Sequence, residues 1–313
     1  MLYLNTMKAI KIILLNIILF FLIFAGSEFY FYKKWGGGVL FHADRYFACL
    51  LHTIPAEEYF DKLYKKEHVH NAFTESFRPD ENINSPKKPV LFAGCSFTWG
   101  SGIEENQTVS HKTAVLTGRT VYNRGGIGWG MQNFIYQLRR EDFYQMHKEP
   151  EYIIYIFIYD HLYRTEKYKV EPFFMDSQPR YKIKDDKLIE MKPNFFDFTA
   201  SAASIQYNHS YKRKAPFWDI IRVYFSEADE EIKKHWKNTK FVILKYPMIW
   251  DKEYGAEYDA VWQELKDRGI IVIDAGKLAG VDLTEEKYKS DGLHPSAEAW
   301  DLILPGLISE LKL

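Results

Sequence analysis

The sequence predicts an α/β fold, a three-layer α/β/α sandwich around a central parallel sheet, preceded by an N-terminal transmembrane helix. Beyond Lys87, short β-rich runs alternate with longer segments of helical pattern. Those runs are mainly apolar, as parallel strands covered on both faces are. Residues 12–26, IILLNIILFFLIFAG, are apolar apart from Asn16. The 313 residues are 47% hydrophobic, enough to bury one substantial core. A formal net charge of −1 lacks the basic excess that neutralises a phosphate backbone, which argues against nucleic acid as a partner.

Spanning hydrocarbon takes ~20 predominantly apolar residues. Residues 12–26 suffice if the aromatics Phe29 to Tyr32 occupy the interfacial belt. Residues 1–34 therefore read as a single-pass membrane anchor, with the amino terminus inside and the large domain extracytoplasmic. A cleaved signal peptide competes, because Lys8 and Lys11 form a charged n-region and Ala25-Gly26-Ser27 offers small residues for cleavage. A buried core helix is the third reading. Residues 35–86 read as linker and accessory segment, with a glycine triplet at 36–38 and the loop-like run RPDENINSPKKP from Arg78.

The main domain is expected over 87–313. Its strands are expected at Pro89–Ala93, Thr120–Asn123, Tyr152–Tyr159, Lys240–Tyr246 and Ile270–Asp274. Helices fit at Val109–Leu116, Trp129–His147, Trp218–Trp236, Ala256–Arg268 and Ala297–Leu311, the last interrupted near Pro305. The stretch at about 166–216 breaks this rhythm and reads as an insertion that caps a pocket.

The segment VLFAGCSFTWGSG, residues 90–102, runs an apolar strand straight into a small-residue turn. Ser96 is thereby placed at the carboxyl end of a parallel strand, where crevices form in open α/β sheets. A helix-capping serine would have the same surroundings. In SDGLHPSAEAW, residues 290–300, Asp291 and His294 stand three apart in a loop ahead of the final helix. An acid and an imidazole so spaced can converge on one point, and with Ser96 they supply a nucleophile, a base and an orienting carboxylate. Cys49 and Cys95 form no disulfide framework, although one bridge between them is open. The isolated His111, His147, His209 and His235 read as surface or satisfied core residues, so neither a metal nor a cofactor is expected.

GCSFTWGSG resembles the first block of the GDSL/SGNH hydrolases, with Gly94-Cys95-Ser96 where Gly-Asp-Ser is usual. YNRGGIGWG, residues 122–130, is similar to the second block, and DGLHP, residues 291–295, to the last. The resemblance implies an SGNH or flavodoxin-like fold over about Pro89 to Leu311. It also implies a Ser96–His294–Asp291 triad and an oxyanion hole built from the backbone N–H groups of Ser96 and Gly128. The third block departs from the pattern, because IFIYDHLYR, residues 156–164, has no asparagine. An ionised Asp160 can only accept hydrogen bonds. The substitute donor is then His161 or the hydroxyl of Tyr159, unless Asp160, His161 and Arg164 simply form a polar network at the strand end.

Hydrolysis of an ester is the leading expectation, with O-acetyl groups of a cell-surface glycan as one substrate class. The alternatives are an O-acyltransferase acting on a polysaccharide and a catalytically silent anchored binding module. Expected partners are a small ester or acylated glycan and, through the N-terminal helix, a membrane.

Overall fold

The computed structural model describes residues 13–27, 78–165, 179, 181–191, 217–248 and 256–313, without the side chains of 163, 256 and 257. Residues 13–27 form a helix whose apolar side chains from Ile13 to Ile23 are exposed. At about 1.5 Å per residue it is shorter than the ~30 Å hydrocarbon layer. Among the described residues no helix is long and apolar enough to cross a membrane. The rest of the expected anchor, 1–12 and 28–34, lies outside the described residues.

The main domain is built on five parallel strands: β1 (Val90–Gly94), β2 (Val121–Gly125), β3 (Tyr152–Phe157), β6 (Lys240–Lys245) and β7 (Ile271–Asp274). Their order is β2-β1-β3-β6-β7. Val90 is in register with both Val121 and Tyr152. The strand order therefore reverses around β1, which opens a crevice at the carboxyl ends of β1 and β3. Alternate residues of a strand face opposite sides. In β3, Ile153, Tyr155 and Phe157 enter one core and Tyr152, Ile154 and Ile156 the other. Each fully buried isoleucine there contributes roughly 1.5–3 kcal/mol.

The first core is closed by α3 (Met131–Leu138), α4 (Glu141–Met146), α6 (Phe217–His235) and α7 (Ala256–Asp267). The second is closed by α2 (Val109–Thr117), α8 (Ala275–Ala279) and α9 (Ala297–Leu311). The short α1 (Ser96–Trp99) and α5 (Asp160–Thr165) follow β1 and β3 directly. The three-layer sandwich with a parallel sheet is thus the observed architecture.

Two helices differ from the sequence reading. The helix expected over Trp129–His147 is two, because Arg140 is extended at φ −100°, ψ 126° between α3 and α4. That break turns Phe143 and Tyr144 onto Trp236 in the core. No interruption occurs at Pro305, which lies inside α9 on its exposed face, where water can solvate the carbonyl that loses its donor. Of the 166–216 segment, the described part is an antiparallel hairpin, β4 (Tyr181–Lys184) and β5 (Lys187–Glu190). It packs on α6, where Leu188 N–H donates to Glu227 at 3.1 Å.

Residues 78–86, read as linker, are part of the packed unit. Arg78 stacks on Trp99 and donates to the carbonyls of Trp99, Gly100 and Ile103. Asp80 pairs with Arg124, and Glu81 bridges Val121.

Candidate active site

Gly94 ends β1 at φ +146°, a conformation that L side chains rarely adopt. A Cβ there would strike Thr98 Oγ1 and come within 2.9 Å of the Ile156 carbonyl. The missing side chain lets the chain turn sharply from β1 into α1, with Ser96 as its first residue. The amide of a first helical residue has no acceptor within the helix. Cys95 is a buried free thiol, and Cys49 lies outside the described residues. Asn123, at the middle of β2, is fully buried and ties α1 in place. Its amide donates to Thr98 O at 2.9 Å and to Ser110 Oγ at 3.0 Å.

The loop before α9 is folded by its own polar groups. Asp291 Oδ1 accepts from the amides of Leu293 at 3.1 Å and His294 at 2.9 Å. Ser290 N–H donates to His294 O at 2.8 Å, and the Ser290 hydroxyl donates to Ser101 O at 3.2 Å, tying this loop to the residues after α1. His294 Nδ1 lies 2.7 Å from Asp291 Oδ2, and its Nε2 lies 2.9 Å from Ser96 Oγ. The carboxylate can only accept, so Nδ1 carries the hydrogen and Nε2 is left to accept from the Ser96 hydroxyl. Phe97 backs the imidazole, with ring centroids 5.3 Å apart. Partial burial works against the charge of Asp291, but the backbone amide and imidazole of His294 outweigh it. They hold the carboxyl below its ordinary value.

Gly128, at φ +76°, occupies the turn closed by Trp129 N–H to Gly126 O at 3.1 Å. Positive φ is what the third position of a type II turn requires. Among the described residues the Gly128 N–H makes no hydrogen bond.

The structure buries both His161 and Tyr159, the expected substitute oxyanion donors. His161 is fully buried, with its ring beside Tyr155 and Phe157 and Nδ1 3.0 Å from the Tyr155 hydroxyl. Burial, then the charge of Arg164, hold its imidazole far below the ordinary value, so it is neutral at pH 7. Tyr159 packs on Phe217 and Tyr258. Tyr159, Tyr155 and Phe157 belong to the core on the α3 and α6 side of the sheet, whereas Cys95 and Phe97 belong to the other. Asp160 carries no bare charge, because Arg164 binds its carboxylate through Nε at 2.9 Å and Nη2 at 2.7 Å.

Arg78 and Asn123, which motif reading leaves without a role, brace α1, and Asp160 and Arg164 form the ion-paired part of the polar network expected at the strand end. Only the i, i+4 spacing of Asp160 and Arg164 on a helix signals a pair in the sequence. A separate cavity of about 400 Å³ lies along β7 between Trp262, Lys266, Lys277 and Glu310. None of Ser96, Asp291 and His294 lines it. Among the described residues no cluster of three or more His, Cys, Asp or Glu could hold a metal.

No protein-family model and no curated protein matches the chain. Solved structures similar to it include a member of the lipolytic protein G-D-S-L family from Veillonella parvula DSM 2008. That match has 12% identity and a TM-score of 0.43, over 71% of this chain and 97% of the other. A family two carbohydrate esterase from Clostridium thermocellum matches at 12% identity and TM-score 0.42, over 72% of this chain and 64% of that one. An acetyl xylan esterase from Butyrivibrio proteoclasticus matches at 12% and 0.41, with the same coverage of 72% and 64%. Likeness at this level decides no substrate or mechanism, which rest on the site itself. In its three motif blocks the chain resembles the GDSL/SGNH hydrolases.

Proposed function

We propose that the chain is a serine esterase of the GDSL/SGNH kind, with Ser96 as nucleophile, His294 as general base and Asp291 as its orienting partner. The observation that carries this reading is the continuous relay from Ser96 Oγ to His294 Nε2 at 2.9 Å and from His294 Nδ1 to Asp291 Oδ2 at 2.7 Å. Heavy-atom distances of about 2.6–3.2 Å are those across which a positioned base takes a proton.

In the proposed reaction His294 removes the hydroxyl proton as Ser96 Oγ bonds to the ester carbonyl carbon. Asp291 stabilises the imidazolium that results. The carbonyl oxygen becomes an oxyanion, received by the N–H groups of Ser96 and Gly128. His294 then returns the proton to the departing alcohol. Water, deprotonated by the same imidazole, attacks the acyl carbon, the bond to Ser96 Oγ breaks to free the acid, and His294 returns the proton to Ser96 Oγ. The acyl group sits on a small ester or an acylated glycan. The exposed apolar side chains of the 13–27 helix support an anchor that holds the domain at a membrane.

The test incubates the full chain with an aryl acetate and a fluorophosphonate probe, comparing wild type with Ser96→Ala. Turnover and one label per chain in wild type, both lost in Ser96→Ala, are the expected result. A wild type that neither labels nor turns over refutes the esterase. Labelling without hydrolysis, relieved by an added glycan, would instead assign acyl transfer.

A further inference from the structure

We propose that Arg164, locked by Asp160, positions the Gly126–Trp129 turn that presents the Gly128 amide, so that this ion pair sets the geometry of the oxyanion site. The inference rests on the esterase reading above and adds to it a residue that the relay does not include.

The turn is closed locally by Trp129 N–H to Gly126 O. That bond fixes its shape but not its place relative to Ser96. Placement comes from contacts outside the turn. Gly126 N–H donates to Gly94 O at 3.2 Å on the β1 side. On the α5 side, Arg164 Nη1 donates to Trp129 O at 2.7 Å, across 35 residues of sequence. A charged donor at that distance makes one of the stronger hydrogen bonds available to a peptide carbonyl.

The guanidinium is itself held. Nε and Nη2 reach one oxygen of Asp160, one turn earlier on α5, at 2.9 and 2.7 Å. Its side chain is 15% exposed, so water competes little for these donors. The backbone on either side is fastened as well: Gln132 Nε2 donates to Arg164 O at 3.3 Å, and Gly130 N–H donates to Asn133 Oδ1 at 2.9 Å. Arg164 Cβ comes within 3.0 Å of where a Cβ on Gly130 would lie, so turn and helix are in close contact.

With Nε and Nη2 on Asp160 and Nη1 on Trp129 O, Arg164 acts through the turn rather than on the substrate. It is a positioning residue. Asp160, whose charge would repel an oxyanion if bare, is spent in holding it. Lysine offers a single ammonium in place of the planar fork and cannot bridge both partners in the same geometry.

The experiment uses the full chain with Arg164→Lys, Arg164→Met and Asp160→Asn. For each it measures kcat and KM for an aryl acetate, affinity for an alkyl boronic acid that mimics the tetrahedral oxyanion, and the rate and final extent of fluorophosphonate labelling. Displacing one oxyanion donor costs a factor of roughly 100 to 1,000 when complete. The expected result is therefore a fall in kcat of about 10- to 100-fold in Arg164→Lys, with KM within about twofold. Boronic acid affinity should weaken in parallel with kcat/KM, and labelling should slow yet still reach one per chain. A merely structural role would lower the labelled fraction and leave the kinetics of the folded remainder unchanged, which overturns the proposal. Unchanged kcat and boronate affinity in Arg164→Lys and Asp160→Asn overturn it even if Arg164→Met fails to fold. An inactive, unlabelled wild type removes the esterase reading and this inference together, whereas an active wild type with indifferent Arg164 variants removes this inference alone.

Discussion

At the scale of single residues, the relay is sensitive to which atom carries which hydrogen. His294→Gln leaves the Ser96 hydroxyl without a base 2.9 Å away, and kcat should fall by about 1,000-fold or more. In Asp291→Asn the carboxylate that accepts from Nδ1 at 2.7 Å becomes an amide that can donate there, which favours the other tautomer. A loss of roughly 10,000-fold in kcat with little change in KM is expected, and steady-state kinetics on an aryl acetate would check both variants. Gly94→Ala tests the nucleophile turn instead. Its Cβ would strike Thr98 Oγ1 and crowd Ile156 O at a backbone φ of +146°. Urea denaturation should show about 2 kcal/mol or more of lost stability, and an unchanged midpoint would refute the account of the turn.

Among the elements, β2 and α4 meet through a buried polar contact that makes stability depend on pH. Arg124 Nε donates to His147 Nε2 at 2.7 Å, His147 Nδ1 donates to Phe143 O at 2.6 Å, and Asp80 pairs with the other side of Arg124. Burial, then the charge of Arg124, push His147 down to about 4. Above the ordinary value of about 6.5 the imidazole is neutral whether the chain is folded or unfolded. Below it the unfolded chain takes up a proton that the folded chain refuses until pH is near 4, so stability falls with pH across that window. The full effect is up to about 3 kcal/mol. In His147→Gln the loss of stability between pH 7 and 4.5 should shrink by roughly 2 kcal/mol, read from urea midpoints at the two pH values. The segment before β1 acts at the same scale. A chain shortened to begin at Lys87 loses the Arg78 contacts to α1 and the Asp80 pair with Arg124. Its Tm should lie roughly 5 °C or more below that of a chain beginning at Arg78.

For the whole molecule, an anchored chain should sediment with membranes and resist extraction by high salt; recovery of the full chain in the soluble fraction would count against the anchor. The parallel sheet was legible because β1, β3 and β6 are apolar without alternation, the pattern of strands covered on both faces. Ser96, Asp291 and His294 were legible because a strand-to-turn serine and a short acid–imidazole loop, each weakly specific alone, stand in the order of the GDSL/SGNH blocks they resemble. The sequence by itself therefore determined the class of the fold and singled out Ser96, Asp291 and His294 as candidates, since periodicity and turn chemistry are properties of neighbouring residues. Only the tertiary structure decided that Ser96 and His294, 198 residues apart, come within 2.9 Å. It also decided that Asp160 is neutralised by Arg164, and that Arg164 reaches Trp129 O across 35 residues. Those outcomes depend on which side of the sheet each strand end faces and on which loops meet at its carboxyl edge. Such distances are set by packing between segments far apart in the chain, and local pattern carries no record of them.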